Sequence, residues 1–221
     1  MTKNCFSDAL TERYHAINDT LPPSVSLLCV SKTKPADDIR TLAKVGQVHF
    51  GENYLQECLV KQKELSDLPL VWHYIGHIQR NKTKDIATQF DWVQTVERAI
   101  IAERLNEQRG DLPPLNVLIQ VNIDDEMSKS GCAVSELDEL VKLILTLPKL
   151  SLRGLMIIPN KEGTDAFIRT KVLFDDIKEK FNPPHWDTLS MGMSGDKEQA
   201  IKNGSTMIRV GSAIFGERTK A

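Results

Sequence analysis

No stretch of this 221-residue sequence approaches the roughly 20 apolar residues that a membrane span requires. The opening segment, MTKNCFSDALTERYHAIN, lacks the apolar centre of a signal peptide. Basic runs are short as well. Lys32-Thr33-Lys34 and Asn81-Lys82-Thr83-Lys84 read as solvated surface, and a net charge of −2 leaves no electrostatic footprint for nucleic acid. The four cysteines, at 5, 29, 58 and 132, include no pair with zinc or redox spacing. A chain of this size and apolar content needs no disulfide staples, so a reducing, cytoplasmic compartment is expected. Cys29 lies in an apolar run and reads as a small core residue. There is no His/Cys/carboxylate cluster with metal spacing, no Gly-x-Ser-x-Gly elbow and no P-loop. No Pro/Gly/Ser linker or charge block divides the chain, which points to one domain over residues 1–221.

Apolar residues make up 41% of the chain and charged residues 26%, an ordinary soluble balance. Eight short segments read as strands: Ser26–Ser31, Gln47–Gly51, Leu70–Gly76, Trp92–Val96, Leu115–Asn122, Leu152–Ile158, Thr188–Met191 and Thr206–Gly211. The fifth and sixth are nearly continuous apolar runs, as strands covered on both faces require. Helical periodicity fills the gaps, with Ile39, Leu42, Ala43 and Val45 on one side of Asp37–Val45. Ser135–Leu147 repeats Leu137, Leu140, Val141, Ile144 and Leu145, with Ser135 and Asp138 resembling a helix start. Glu97–Gln108, Thr164–Phe181 and Asp196–Lys202 complete the set, and Ser7–Asn18 forms a leading helix. Eight strand-then-helix units predict an α/β fold, a single (β/α)₈ TIM barrel with an extra N-terminal helix. An open doubly wound sheet is the alternative.

Polar residues gather where these strands end. Lys32 follows the first strand, Glu52-Asn53 the second and Gly76-His77 the third. Gly192-Met193-Ser194-Gly195 follows the seventh, and Arg209 and Gly211-Ser212 occupy the eighth and its end. In a (β/α)₈ barrel these ends build the active site. Lys32 is either a loop lysine or an amine at the barrel mouth, where burial and neighbouring cations lower a lysine pKa and allow Schiff-base formation. The two Gly/Ser turns are either tight strand-to-helix connections, with Ser194 as a helix cap, or phosphate-binding N–H groups. Barrel phosphate sites commonly form after strands seven and eight. Arg209, inside an apolar strand, needs a ligand or an ion pair, with Glu52 a candidate partner. His73 reads as a core histidine and His77 as an exposed one.

Together these stretches identify a resemblance. VSKTKP at 30–35, FGENY at 50–54, WHYIGHIQRNK at 72–82, VNIDDEMSKSG at 121–131, RGLMIIP at 153–159, LSMGMSGDKEQAI at 189–201 and MIRVGSAIFGER at 207–218 resemble the pyridoxal phosphate homeostasis proteins, the YggS/PROSC family. The resemblance spans nearly the whole chain. It implies a barrel like the N-terminal domain of alanine racemase, with pyridoxal 5′-phosphate as cofactor. It implies a Schiff base on Lys32. It implies further cofactor-binding positions at Asn53, His73, Ser194, Arg209, Gly211 and Ser212. An arginine facing the pyridine nitrogen keeps it unprotonated and weakens the ring as an electron sink. The chain departs from the family pattern at His77, where proline is expected, and at Arg80, where a small residue is expected.

Racemases and decarboxylases of similar fold add a β-rich domain that closes the site and supplies acid–base groups. Here the barrel uses nearly all of the chain, so no catalytic residue is assigned. The expectation is a non-catalytic, monomeric carrier that holds the cofactor and releases it to apo-enzymes. An amino-acid racemase using Lys32 as one base is the alternative. A cofactor-free sugar-phosphate lyase is a third. Fold alone does not separate them.

Overall fold

The computed structural model describes residues 2–126, 129–160 and 165–217. Eight strands pair in chain order, all parallel, and the last pairs with the first to close a barrel. They are β1 (Ser26–Val30), β2 (His49–Glu52), β3 (Val71–Tyr74), β4 (Trp92–Val96), β5 (Leu115–Gln120), β6 (Leu150–Met156), β7 (Thr188–Ser190) and β8 (Met207–Val210). All eight sequence assignments fall on strands, so the closed barrel stands and the open sheet does not.

The helices are α1 (Thr2–Asn18), α2 (Ala36–Lys44), α3 (Leu55–Glu64), α4 (Thr83–Gln89), α5 (Ala99–Gln108), α6 (Leu137–Leu145), α7 (Ala166–Phe181), α8 (Lys197–Lys202) and α9 (Ser212–Phe215). The sequence reading missed α3, α4 and α9. Thr164, its proposed start for α7, lies outside the described residues. In α5, Ile101, Ala102 and Leu105 are buried and Ile100 is exposed. The start of α6 also differs. A single helical turn over Val134–Glu136 precedes it, and Glu136 Oε2 accepts from the Ala133 backbone N–H at 3.1 Å. Ser135 and Asp138 do not make the start. α7 stops at Asn182, whose φ of 43° is a left-handed helix end, and Pro183 cannot continue the helix.

Strand alternation sorts the core. In β5, Leu115, Val117 and Ile119 face the helices and join the main apolar cluster, whereas Leu118 joins a separate one with Trp92 and Met156. That smaller cluster lies inside the barrel. The same parity turns Leu28, His73, Gln94, Ser190 and Arg209 inward. Burial of polar groups is tolerated only where each finds a partner, and the barrel interior is consequently a hydrogen-bonded one. α1 packs Leu10, Tyr14 and Ile17 against the barrel, and Arg13 Nε donates to Ile214 O in α9 at 2.6 Å. Among the described residues no helix is long and apolar enough to cross a membrane.

Candidate functional site

The C-terminal ends of the strands enclose a cavity of about 320 Å³. Such a volume falls within the range of small-ligand clefts, roughly 300–1,000 Å³. Lys32, Asn53, Ser194, Arg209, Gly211 and Ser212 all line it. Residues from β1, β2, β7 and β8 therefore converge on one space, although they span 180 positions of sequence.

Parity explains the placement of Lys32. Leu28 points inward, so Val30 and Lys32 follow on the same face. Ser31 turns the other way, toward α3, where its hydroxyl donates to Glu52 Oε1 at 2.7 Å. Asn53 stands on the inward face after β2. Its Oδ1 is buried with no hydrogen-bond partner, and its Nδ2 donates only a long bond to Ile75 O at 3.5 Å. A buried acceptor in a cavity wall is satisfied by an occupant that donates to it.

Two tight turns form the opposite wall. Gly192 has a φ of 95°, and a Cβ there would lie 2.6 Å from Ala200 Cβ. Only glycine lets the chain turn so close to α8. The turn is closed by Asp196, whose Oδ1 accepts from Met193 N at 2.6 Å. Asp196 takes the N-cap position of α8 without a side-chain cap bond, so Ser194 is not the helix cap and is left on the cavity wall. At the second turn, Gly211 O accepts from Ile214 N and Phe215 N at 3.0 and 2.9 Å. The first N–H groups of α9 lack intrahelical acceptors. Lys34 Nζ closes the other end of α9, donating to Phe215 O, Gly216 O and Glu217 O at 3.1–3.2 Å.

Arg209 is 4% exposed. NH1 donates to Ser190 O and Oγ, both at 2.9 Å, and NH2 to Ile157 O at 2.8 Å. Burial pulls the guanidinium down to about 10, so it stays charged at neutral pH. The suggested partner Glu52 is elsewhere. It faces α3 and binds Lys61 Nζ at 2.8 Å, because Glu52 has the outward parity of Phe50.

His73, unlike the other six expected cofactor positions, is not among the residues that line the cavity. It is fully buried inside the barrel and stacked on Trp92. Gln94 Nε2 donates to His73 Nδ1 at 3.0 Å, which places the ring proton on Nε2, 2.9 Å from His49 Nδ1. Gln94 Oε1 accepts from Ser190 Oγ at 2.8 Å, and Ser190 Oγ accepts from Arg209. His73 therefore reaches the cavity only through three intermediaries of one chain. Burial lowers the pKa of both His73 and His49, which keeps the imidazoles neutral. Sequence reasoning missed Gln94 and Ser190. A glutamine at an inward position of WVQTV was the available signal.

His77 and Arg80 are exposed, and His77 Nδ1 stands 3.7 Å from Glu97 Oε1. Cys29, Cys58 and Cys132 are buried and free, and burial pushes all three thiols up. Among the described residues no group of His, Cys, Asp and Glu is arranged to hold a metal ion.

Residues 7–219 match the family described as Alanine racemase, N-terminal domain. A pyridoxal phosphate homeostasis protein of Pseudomonas aeruginosa is 52% identical over 203 residues, covering 89% of this chain and 86% of that one. Another, of Escherichia coli, is 50% identical over 206 residues, covering 89% and 87%. The structure of PipY of Synechococcus elongatus with PLP bound superposes with a TM-score of 0.85 at 35% identity, covering 94% of this chain and 100% of that one. Alanine racemase of Clostridium difficile shares the fold, with a TM-score of 0.75 at 14% identity. It covers 96% of this chain, which spans 58% of that protein.

Proposed function

Because this chain belongs to the family of pyridoxal phosphate homeostasis proteins, built on the alanine racemase N-terminal barrel, we propose that it binds pyridoxal 5′-phosphate as a non-catalytic carrier and buffer. The residues present fit that group. The cavity has a lysine on one side, two Gly/Ser turns on the other, a buried arginine at its floor and an unpartnered amide oxygen in its wall. When bound, the cofactor supplies an aldehyde that a neutral primary amine captures reversibly.

Lys32 would hold the aldehyde end. Ser194, Gly211 and Ser212 would hold the phosphate through hydroxyl and backbone N–H donors. Arg209 would face the pyridine nitrogen. A protonated guanidinium donates to that atom and accepts nothing, so it keeps the ring nitrogen free of a proton. Asn53 would accept from a donor on the bound molecule or its linkage. His73 would act at a distance, by fixing Gln94 and Ser190 and through them Arg209.

One observation carries the carrier reading. The ionisable side chains on the cavity wall, among the described residues, are Lys32, Lys34 and Arg209. Lys34 is committed to three carbonyls. Among the described residues on that wall, no carboxyl, imidazole, phenol or thiol is at hand as the second proton-transfer group that racemisation needs. Apo-enzymes are the recipients in this reading, and the protein works as a one-domain monomer in the cytoplasm. The names of the relatives support the homeostatic role, and Cys29, Cys58 and Cys132, buried and free, fit a reducing compartment.

The test is the absorbance spectrum of the purified protein before and after borohydride, followed by a peptide map. Loaded protein is then offered separately to an α-deuterated amino acid and to an apo-enzyme. Transfer without deuterium loss supports the carrier. Robust deuterium loss without transfer overturns it.

A further inference from the structure

The two peptide groups flanking Lys32 are both held by the same buried cluster. Lys61 in α3 is 5% exposed, and its Nζ donates to Ser31 O at 2.8 Å, Glu52 Oε1 at 2.8 Å and Glu57 Oε1 at 2.5 Å. Ser31 O belongs to the peptide that precedes Lys32. Glu57 Oε1 also accepts from the backbone N–H of Thr33 at 2.6 Å, and that N–H belongs to the peptide that follows Lys32. The Ser31 hydroxyl adds a third tie, to Glu52 Oε1 at 2.7 Å. Thr33 itself has a φ of 64°, a left-handed conformation that β-branched residues rarely adopt. The Glu57 bond holds it there.

A cluster meant only to fasten α3 to the barrel could bind any part of β2. This one grips the backbone on each side of the single residue assigned to aldehyde capture. Lys61 needs its carboxylate partners, since a buried ammonium without them is strongly disfavoured. The cluster thus locks as a unit, and Lys32 is the residue enclosed by it.

We propose that Glu52, Glu57 and Lys61 are positioning residues for Lys32, holding the peptides before and after it so that its amine is directed into the cavity. The inference rests on the proposed capture of pyridoxal 5′-phosphate by Lys32. It assigns the capture step, and not the affinity for the rest of the cofactor, to this cluster.

Glu57 is half-buried, and so Glu57→Ala is the variant to use. Pyridoxine 5′-phosphate, which has an alcohol in place of the aldehyde, reports binding without capture. Stopped-flow appearance of the visible band reports capture. In Glu57→Ala, capture of pyridoxal 5′-phosphate is expected to slow by about 10-fold or more, since small misplacements of a reacting group have effects of this size. Pyridoxine 5′-phosphate affinity stays within about twofold, and the Thr33 amide exchanges faster with solvent. Glu57→Gln still offers an acceptor to Thr33 and recovers most of the capture rate. Lys61→Met, read by the same pair of ligands, repeats the pattern if it folds. Unchanged capture in Glu57→Ala overturns the inference, as does an equal loss for both ligands. A wild-type protein that binds pyridoxine 5′-phosphate but captures no aldehyde overturns the functional reading and this inference with it.

Discussion

Arg209 and Ser190 are joined twice, with NH1 donating at 2.9 Å to both the carbonyl and the hydroxyl oxygen of Ser190. The serine hydroxyl donates to Gln94 Oε1, and Gln94 Nε2 donates to His73 Nδ1. A cation at the cavity floor is thus oriented by a neutral chain running through the barrel, with no carboxylate in it. Arg209 has no carboxylate among its hydrogen-bond partners, Asp196 acting on it only through its charge, and an electron-rich ring nitrogen would meet the guanidinium from the cavity side.

Arg209→Ala is expected to leave the visible band in place and to weaken cofactor retention. A hydrogen bond to a charged group contributes about 1.5–3 kcal/mol, roughly 10- to 100-fold in affinity. Equilibrium dialysis and the band position check it. Unchanged affinity and spectrum would remove Arg209 from the ring contact.

Lys32→Ala should abolish the visible band and leave borohydride with nothing to fix. A band that persists would move the attachment to Lys34 or Lys129, to be located by peptide mapping. Lys34 would then have to abandon three carbonyl acceptors, and the end of α9 would loosen.

Acid should destabilise the fold in the range where histidine titrates. His73 and His49 are held below the ordinary value of 6.5, chiefly by burial. The unfolded chain therefore binds more protons than the native one as pH falls past that value, and stability decreases. The contribution is fully present above about pH 7 and is lost on acidification through the two depressed values. Melting temperatures measured between about pH 8 and pH 5 test this. His49→Gln retains an acceptor for His73 and should flatten the slope. A wild-type melting temperature that stays level across the range would contradict the reading.

Gly192→Ala forces a side chain into a left-handed position against Ala200. The expected loss is about 1–3 kcal/mol of stability. Phosphate-bearing ligands should bind more weakly too, because the turn carrying Ser194 must shift. Urea titration and pyridoxine 5′-phosphate binding measure the two effects. Gly195→Ala is the control for stability alone, since a Cβ there meets no atom within 4 Å.

Much of the fold was legible because buried parallel strands carry their own signature, and β1, β4, β5 and β7 were found with correct starts. The two longer missed helices failed for different physical reasons. α4 has only seven residues, too few for a period to show. α3 buries Leu55, Cys58 and Lys61, so a lysine occupies a core-facing position and breaks the apolar pattern. The same lysine is the residue that grips Ser31. The cavity residues were legible from strand ends, since β/α topology brings those ends together whatever the spacing along the chain. The chain behind Arg209 was not. Gln94, Ser190 and His49 act only through inward parity on three different strands, and their register appears once the barrel is closed. The Glu52 suggestion failed on parity as well, one residue away from the inward face.

The pairing of β1 with β8, Leu28 opposite Arg209 and Cys29 opposite Val210, has a consequence for synthesis. Lys32 is made early and the arginine and second Gly/Ser turn late. On the proposed reading, a ribosome-bound chain bearing Lys32 alone would offer a reactive aldehyde no cradle until the eighth strand has emerged. Loading would then wait for the finished barrel, and an interrupted translation product would not retain the cofactor.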